Sequence, residues 1–100
     1  MINLTWRNIL ESFTKNPRDV ITRRDGVWFY TYGDGEKVYI ESAKNHARSS
    51  KITSRRVLDC KNFEKIYGMY VDGIPRSEVR NVTQNSSYWF GIFASLLNEI

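Results

Sequence analysis

An aromatic run between two glycine turns constrains the fold of this 100-residue chain more than any other feature. The run is Val27–Tyr32, and its β-branched and aromatic side chains suit a pleated sheet. Asp25-Gly26 before it is typical of a tight hairpin turn, and Gly33–Gly35 forms a second turn after it. Because successive strand residues point to opposite faces, large side chains lie on both. We therefore expect a central strand, or one whose second face meets another element.

Two further strands are predicted beside this run, at Val20–Arg23 and Lys37–Ser42. In the second, Val38 and Ile40 alternate with polar and aromatic residues, which predicts one buried face. Residues Ile52–Val57 fit either a fourth strand or a loop. The sequence thus predicts an antiparallel meander of three or four strands.

Helical patterns flank the meander on both sides. An N-terminal helix is predicted from Thr5 to Lys15, capped by Asn3 or Thr5, with one apolar face made of Trp6, Ile9, Leu10 and Phe13. After the meander, Asp59 is predicted to cap a helix that ends at Gly73. A short helix over Pro75–Val82 and a final helix, capped by Ser86 and running over Ser87–Glu99, are predicted next.

Residues 1–100 are therefore predicted to form a single α+β domain. It has an N-terminal helix, the antiparallel meander and two or three C-terminal helices packed on one sheet face, with the final helix on the aromatic strand. Cys60 is the only cysteine, which excludes an intrachain disulfide and fits a cytoplasmic protein. No apolar run approaches the roughly 20 residues of a membrane span. One histidine and one cysteine do not make the usual metal clusters, and no cofactor is expected.

Positive charge is concentrated between Ser42 and Leu58. This segment has no acidic residue and holds Lys44, His46, Arg48, Lys51, Arg55 and Arg56. Arg76 and Arg80, four residues apart on a predicted helix, could join it. Such a segment can meet phosphates or an acidic partner. We expect it to contact DNA or RNA, with Tyr30, Tyr32 and Tyr39 stacking on bases if they face solvent.

The stretch Ile74–Ile92 has the outline of a helix-turn-helix, but a plain helical hairpin has the same outline. From Thr83 to Ile100 there is no lysine or arginine, which argues against reading of bases by the final helix. That helix is apolar around most of its circumference, so we expect it in the core. One face could form a homodimer interface, through Trp89, Phe93 and Leu96.

The leading hypothesis is a small non-enzymatic nucleic-acid-binding accessory or regulatory protein. The first alternative is a homo-oligomeric interaction module, in which the basic segment is only a solvated surface. The second is a small basic ribonuclease toxin that uses Tyr39, Glu41, His46 and Arg48. No nucleophile or metal signature surrounds His46 or Cys60, so no catalytic residue is assigned.

The run WFYTYGDGEKVYIESAKNHARSSKI and the later NSSYWFGIF resemble small bacterial proteins carried on mobile elements, integron gene cassettes among them. The resemblance covers Trp28 to Phe93 and rests on three features: the aromatic strand, the N-H-x-x-S-S loop and the Tyr-Trp-x-Gly-Ile ending. It implies a bacterial, cytoplasmic setting. It transfers no catalytic or binding residue.

Overall fold

The computed structural model describes residues 4–22, 26–83 and 85–97, except the side chain of Arg76. Its elements are α1 (Trp6–Lys15), β1 (Arg18–Ile21), β2 (Trp28–Gly33), β3 (Val38–Ser42), β4 (Arg56–Leu58), α2 (Phe63–Val71), α3 (Arg76–Val79) and α4 (Ser86–Leu96). The strands form one antiparallel sheet in the order β1-β2-β3-β4. The predicted α+β fold is confirmed, and the fourth strand exists, although it begins only at Arg56.

A capping box starts α1. The hydroxyl of Thr5 accepts a hydrogen bond from the backbone N–H of Asn8 (3.1 Å), and the Asn8 side chain accepts one from the N–H of Thr5 (3.3 Å). Thr5 is therefore the cap of this helix, as predicted; the alternative, Asn3, lies outside the described residues. None of the described helices has the length and apolarity needed to cross a membrane.

The predicted caps of the two long C-terminal helices are wrong. Asp59 accepts a hydrogen bond from the N–H of Lys61 (3.1 Å), in a turn that precedes α2, and Asn62 takes the cap position. Ser86 is the first residue of α4 and is buried, with Asn85 before it as the cap. The termination at Gly73 is confirmed, since its φ of 74° is a backbone conformation that favours glycine.

Two element boundaries also differ from the prediction. β1 covers Arg18–Ile21 and begins immediately after Pro17, because pairing with β2 rather than β-propensity sets its register. The proposed hairpin residue Asp25 and the strand residue Arg23 lie outside the described residues. α3 is one turn, Arg76–Val79, and residues 80–82 continue as a turn.

The core lies on one face of the sheet, which we call the inner face. It carries Val20, Phe29, Val38, Ile40 and Leu58, all buried. α1 and α4 pack against this face. A Cβ on Gly91 of α4 would lie 2.9 Å from the carbonyl oxygen of Ile21, so only glycine permits this close approach. The ring of Tyr88 packs edge-on against Phe29 at 5.0 Å, consistent with the predicted contact between the last helix and the aromatic strand.

Candidate nucleic-acid interface

The opposite face of the sheet, here the outer face, is lined with aromatic side chains. Strand alternation in β2 sends Phe29 inward and Tyr30 and Tyr32 outward, and the β2–β3 register places Tyr39 beside Tyr32. All three tyrosines are half-buried, and within the described ranges the helices that contact the sheet lie on the inner face. The three tyrosines thus lie on the solvent side of the sheet, which is the condition that base stacking needed.

These tyrosines form one continuous cluster. The ring centroids of Tyr30 and Tyr32 are 5.7 Å apart, and those of Tyr32 and Tyr39 are 5.2 Å apart. The hydroxyl of Tyr32 donates to Glu41 (2.6 Å), and that of Tyr39 donates to Asp34 (2.7 Å). These hydrogen bonds to carboxylates raise the pKa of both phenols. The rings of Tyr32 and Tyr39 are therefore held in place by their own hydroxyl groups.

Two cations of the basic segment lie over this cluster. The ammonium nitrogen of Lys44 is 4.3 Å from the ring centroid of Tyr30, and the guanidinium carbon of Arg55 is 4.3 Å from that of Tyr39. Arg55 also donates to the hydroxyl of Tyr32 (3.2 Å). Both side chains belong to exposed residues, so these cation–π contacts are worth only about 0.5–1 kcal/mol each.

Asp19 of β1 organises the loop that follows β3. Its side chain is only 2% exposed and accepts hydrogen bonds from the backbone N–H groups of Lys44 (3.0 Å) and Asn45 (2.7 Å). Its Oδ2 is also 2.9 Å from Nδ1 of His46. Burial acts to raise the pKa of Asp19, but these hydrogen bonds together outweigh it and hold the pKa below its usual range.

Replacing Asp19 with asparagine should destabilise the fold by about 1–3 kcal/mol at pH 6, because charge-assisted hydrogen bonds are lost. The pKa of Asp19 is lower in the folded state than in the unfolded chain, so its contribution is complete above about pH 4 and disappears as pH falls through the folded value. Urea denaturation at pH 6 and at pH 3 measures the difference between the variant and the wild type. The difference in free energy of unfolding between wild type and variant should be smaller at pH 3 than at pH 6. A difference that does not change with pH would contradict an ionised Asp19.

The basic segment does not converge on one surface. Lys44, His46 and Arg55 lie on the outer face, whereas Arg56 points to the helical side, where it donates to the side chain of Asn85 (3.1 Å). Arg48, Lys51 and Arg80 are exposed. Arg76 begins α3 but its side chain lies outside the described part of the structure, and Arg80 lies in the turn after that helix. Of the predicted set, the outer face therefore collects Lys44, His46 and Arg55.

Sequence reasoning missed two residues of this site, Asp19 and Trp28. The ring of Trp28 lies parallel to that of His46, with 3.4 Å between centroids and 6° between planes. Trp28 follows the alternation of Tyr30 and Tyr32, so its outward direction was predictable. Asp19 gave no signal, since it lies 27 residues before His46.

Two of the predicted dimer residues belong to the core of the single chain. Trp89 is 2% exposed and Phe93 is fully buried, while Leu96 is half-buried. Trp89 and Phe93 therefore present no surface to a partner on this fold, and a homodimer stays a prediction without them. Across residues 4–22, 26–83 and 85–97, no three His, Cys, Asp or Glu side chains group to hold a metal.

Comparisons with protein-family models, with curated proteins and with solved structures found no match to this chain.

Proposed function

We propose that this protein binds single-stranded nucleic acid on the outer face of its sheet. The observation that carries the proposal is the cluster of Tyr30, Tyr32 and Tyr39, half-exposed on the face opposite the helices. Bases stack on exposed aromatic rings with about 1–3 kcal/mol each and with little sequence preference. The bases of a duplex are already stacked on each other, so this face favours a single strand.

The two cations above the rings support this role. A stacking base gains more than the roughly 0.5–1 kcal/mol of an exposed cation–π contact, so it can displace Lys44 or Arg55 from the ring. The displaced side chain is long and can then meet the adjacent phosphate. The same side chains would therefore cover the rings in the free protein and bind the phosphates of the nucleic acid in the complex.

Acidic groups on this face limit how much electrostatic attraction can contribute to the affinity for nucleic acid. Glu41 and Asp34 accept hydrogen bonds from Tyr32 and Tyr39, and the pKa of Asp34 is lowered to about 2 by the backbone N–H of Lys37 and the Tyr39 hydroxyl. These carboxylates carry negative charge beside Arg55. We therefore expect stacking to supply more of the affinity than phosphate contacts do, and the dependence on salt to be modest.

The double variant Lys44→Ala/Arg55→Ala tests the assignment of the phosphate contacts. It should reduce the magnitude of the slope of log K against log[salt], where K is the association constant for the strand, by about 1.4. Each phosphate contact on a single strand contributes about 0.7 to that slope. The matched control is Lys61→Ala/Lys65→Ala, which removes the same charge from exposed positions before and within α2. Fluorescence anisotropy of a labelled 12-nucleotide strand, titrated with salt, measures both.

If both double variants change the salt slope equally, Lys44 and Arg55 are not the phosphate contacts. Such a result would mean that only the net charge of the protein affects the salt dependence of binding. If wild-type protein shows no affinity for the strand at low salt, the function itself fails.

A homo-oligomeric interaction module remains the second candidate. A groove of about 720 Å³ lies between the start of α1 and α2, with Leu4, Trp6 and Tyr67 among its walls. Val71, which also lines the groove, is 62% exposed and adds apolar surface at its edge. Light scattering that finds a dimer, together with no nucleic-acid affinity, would favour this candidate.

A further inference from the structure

His46 is held in the geometry of a general base. The carboxylate of Asp19 accepts hydrogen bonds only, so the 2.9 Å contact places the proton of a neutral imidazole on Nδ1. Nε2 then carries the lone pair. A carboxylate that orients an imidazole in this way fixes its tautomer and stabilises the imidazolium that forms when Nε2 takes a proton.

The ring of His46 is also fixed in direction. One face lies on Trp28 at 3.4 Å, and the Nδ1 edge meets Asp19, which is 2% exposed. The His46 side chain is 38% exposed, and these contacts occupy one ring face and the Nδ1 edge. A surface histidine whose role was only solvation would need neither a buried carboxylate nor a stacked indole.

The pair lies beside the tyrosine cluster. Asp19 and Tyr30 are directly paired across β1 and β2. Lys44, which lies over Tyr30, comes shortly before His46 on the same loop. The carbonyl of Arg48 accepts a hydrogen bond from the N–H of Trp28 (2.8 Å), so the main chain of this exposed residue lies next to the tryptophan on which His46 stacks. A nucleotide stacked on Tyr30 would have its sugar and phosphate near His46 and Lys44.

We propose that His46 acts as the general base, positioned by Asp19, in cleavage of single-stranded RNA at this corner of the outer face. The inference rests on the proposed function, since the strand must first bind there. RNA is the substrate class because its ribose 2′-hydroxyl is a nucleophile that a base alone can activate.

The reaction is an internal transfer. Nε2 takes the proton of the 2′-hydroxyl as the 2′-oxygen bonds to phosphorus, and the bond from phosphorus to the 5′-oxygen breaks. The 5′-oxygen takes a proton from water, and the imidazolium returns its proton to the hydroxide formed. The products are a 2′,3′-cyclic phosphate and a 5′-hydroxyl. Lys44 stabilises the charge that builds up on the phosphate oxygens.

The test uses two 12-nucleotide strands, one all DNA and one with a single ribonucleotide at its centre. Single-turnover cleavage is measured with protein in saturating excess, so that differences in affinity do not enter the rate. Wild-type protein should bind both strands and cut the second only, after the ribonucleotide. His46→Ala should lower the rate at least 100-fold, and added imidazole should restore part of it.

Asp19→Asn separates positioning from folding. It should lower the single-turnover rate at least tenfold at pH 7, while circular dichroism shows a folded protein. Binding of both strands without cleavage by wild-type protein would overturn this inference and leave the proposed function standing. Cleavage that persists in His46→Ala would overturn it as well, whereas absence of binding would overturn both.

Discussion

Replacing Phe93 with alanine should lower the free energy of unfolding by about 3–5 kcal/mol, the usual cost of emptying a phenylalanine site in a core. Phe93 is fully buried, and its ring contacts five other aromatic rings: Phe63, Tyr67, Tyr70, Trp89 and Phe90. Those rings lie on two helices, α2 and α4. The cavity would therefore open between these two helices. Urea denaturation of the wild type and the variant measures the loss.

Leu96→Ala is the matched control, because Leu96 is half-buried on the same helix. It should cost clearly less than Phe93→Ala. Neither unfolding midpoint should depend on protein concentration if both side chains act within one chain. A loss below about 1 kcal/mol for Phe93→Ala would contradict its place in the core of the single chain.

Replacing Tyr30 and Tyr39 together with alanine should weaken binding of a single strand by roughly 30-fold or more. Two stacking contacts at about 1–3 kcal/mol each are lost, and each 1.4 kcal/mol is a factor of ten. Both tyrosines are half-buried on the outer face, so the core beneath them stays filled. Fluorescence anisotropy with the labelled 12-nucleotide strand measures the dissociation constant.

Tyr30→Phe/Tyr39→Phe is the control for this variant. It keeps both rings and removes both hydroxyls, including the one that donates to Asp34. Its affinity should stay close to that of the wild type. A loss as large as that of the alanine variant would assign binding to the hydroxyl groups rather than to stacking.

Local patterns predicted most of the fold and part of the site. The alternation of Val38 and Ile40 with Tyr39 gave the two faces of β3, and the apolar face of α1 gave its packing. The outward direction of the tyrosines follows from the same period of two. These features depend on residues that are close together in the sequence, so a single sequence is enough to predict them.

The remaining features depend on contacts between distant segments. The hydrogen bond from His46 to Asp19 forms because the loop after β3 folds back on β1, and no spacing in the sequence encodes this. Arg55 and Arg56 reach opposite sides of the sheet because they are adjacent at the start of β4, whose existence the sequence left open. An all-round apolar helix does not distinguish a core from an interface, so the roles of Trp89 and Phe93 needed the structure.

We propose that the outer face binds single strands by stacking on its tyrosines. Titration of one labelled strand with three proteins tests this: wild type, Tyr30→Phe/Tyr39→Phe and Tyr30→Ala/Tyr39→Ala. We predict tight binding by the first two and a loss of roughly 30-fold or more in the third. Equal affinity of all three for the strand would contradict the claim.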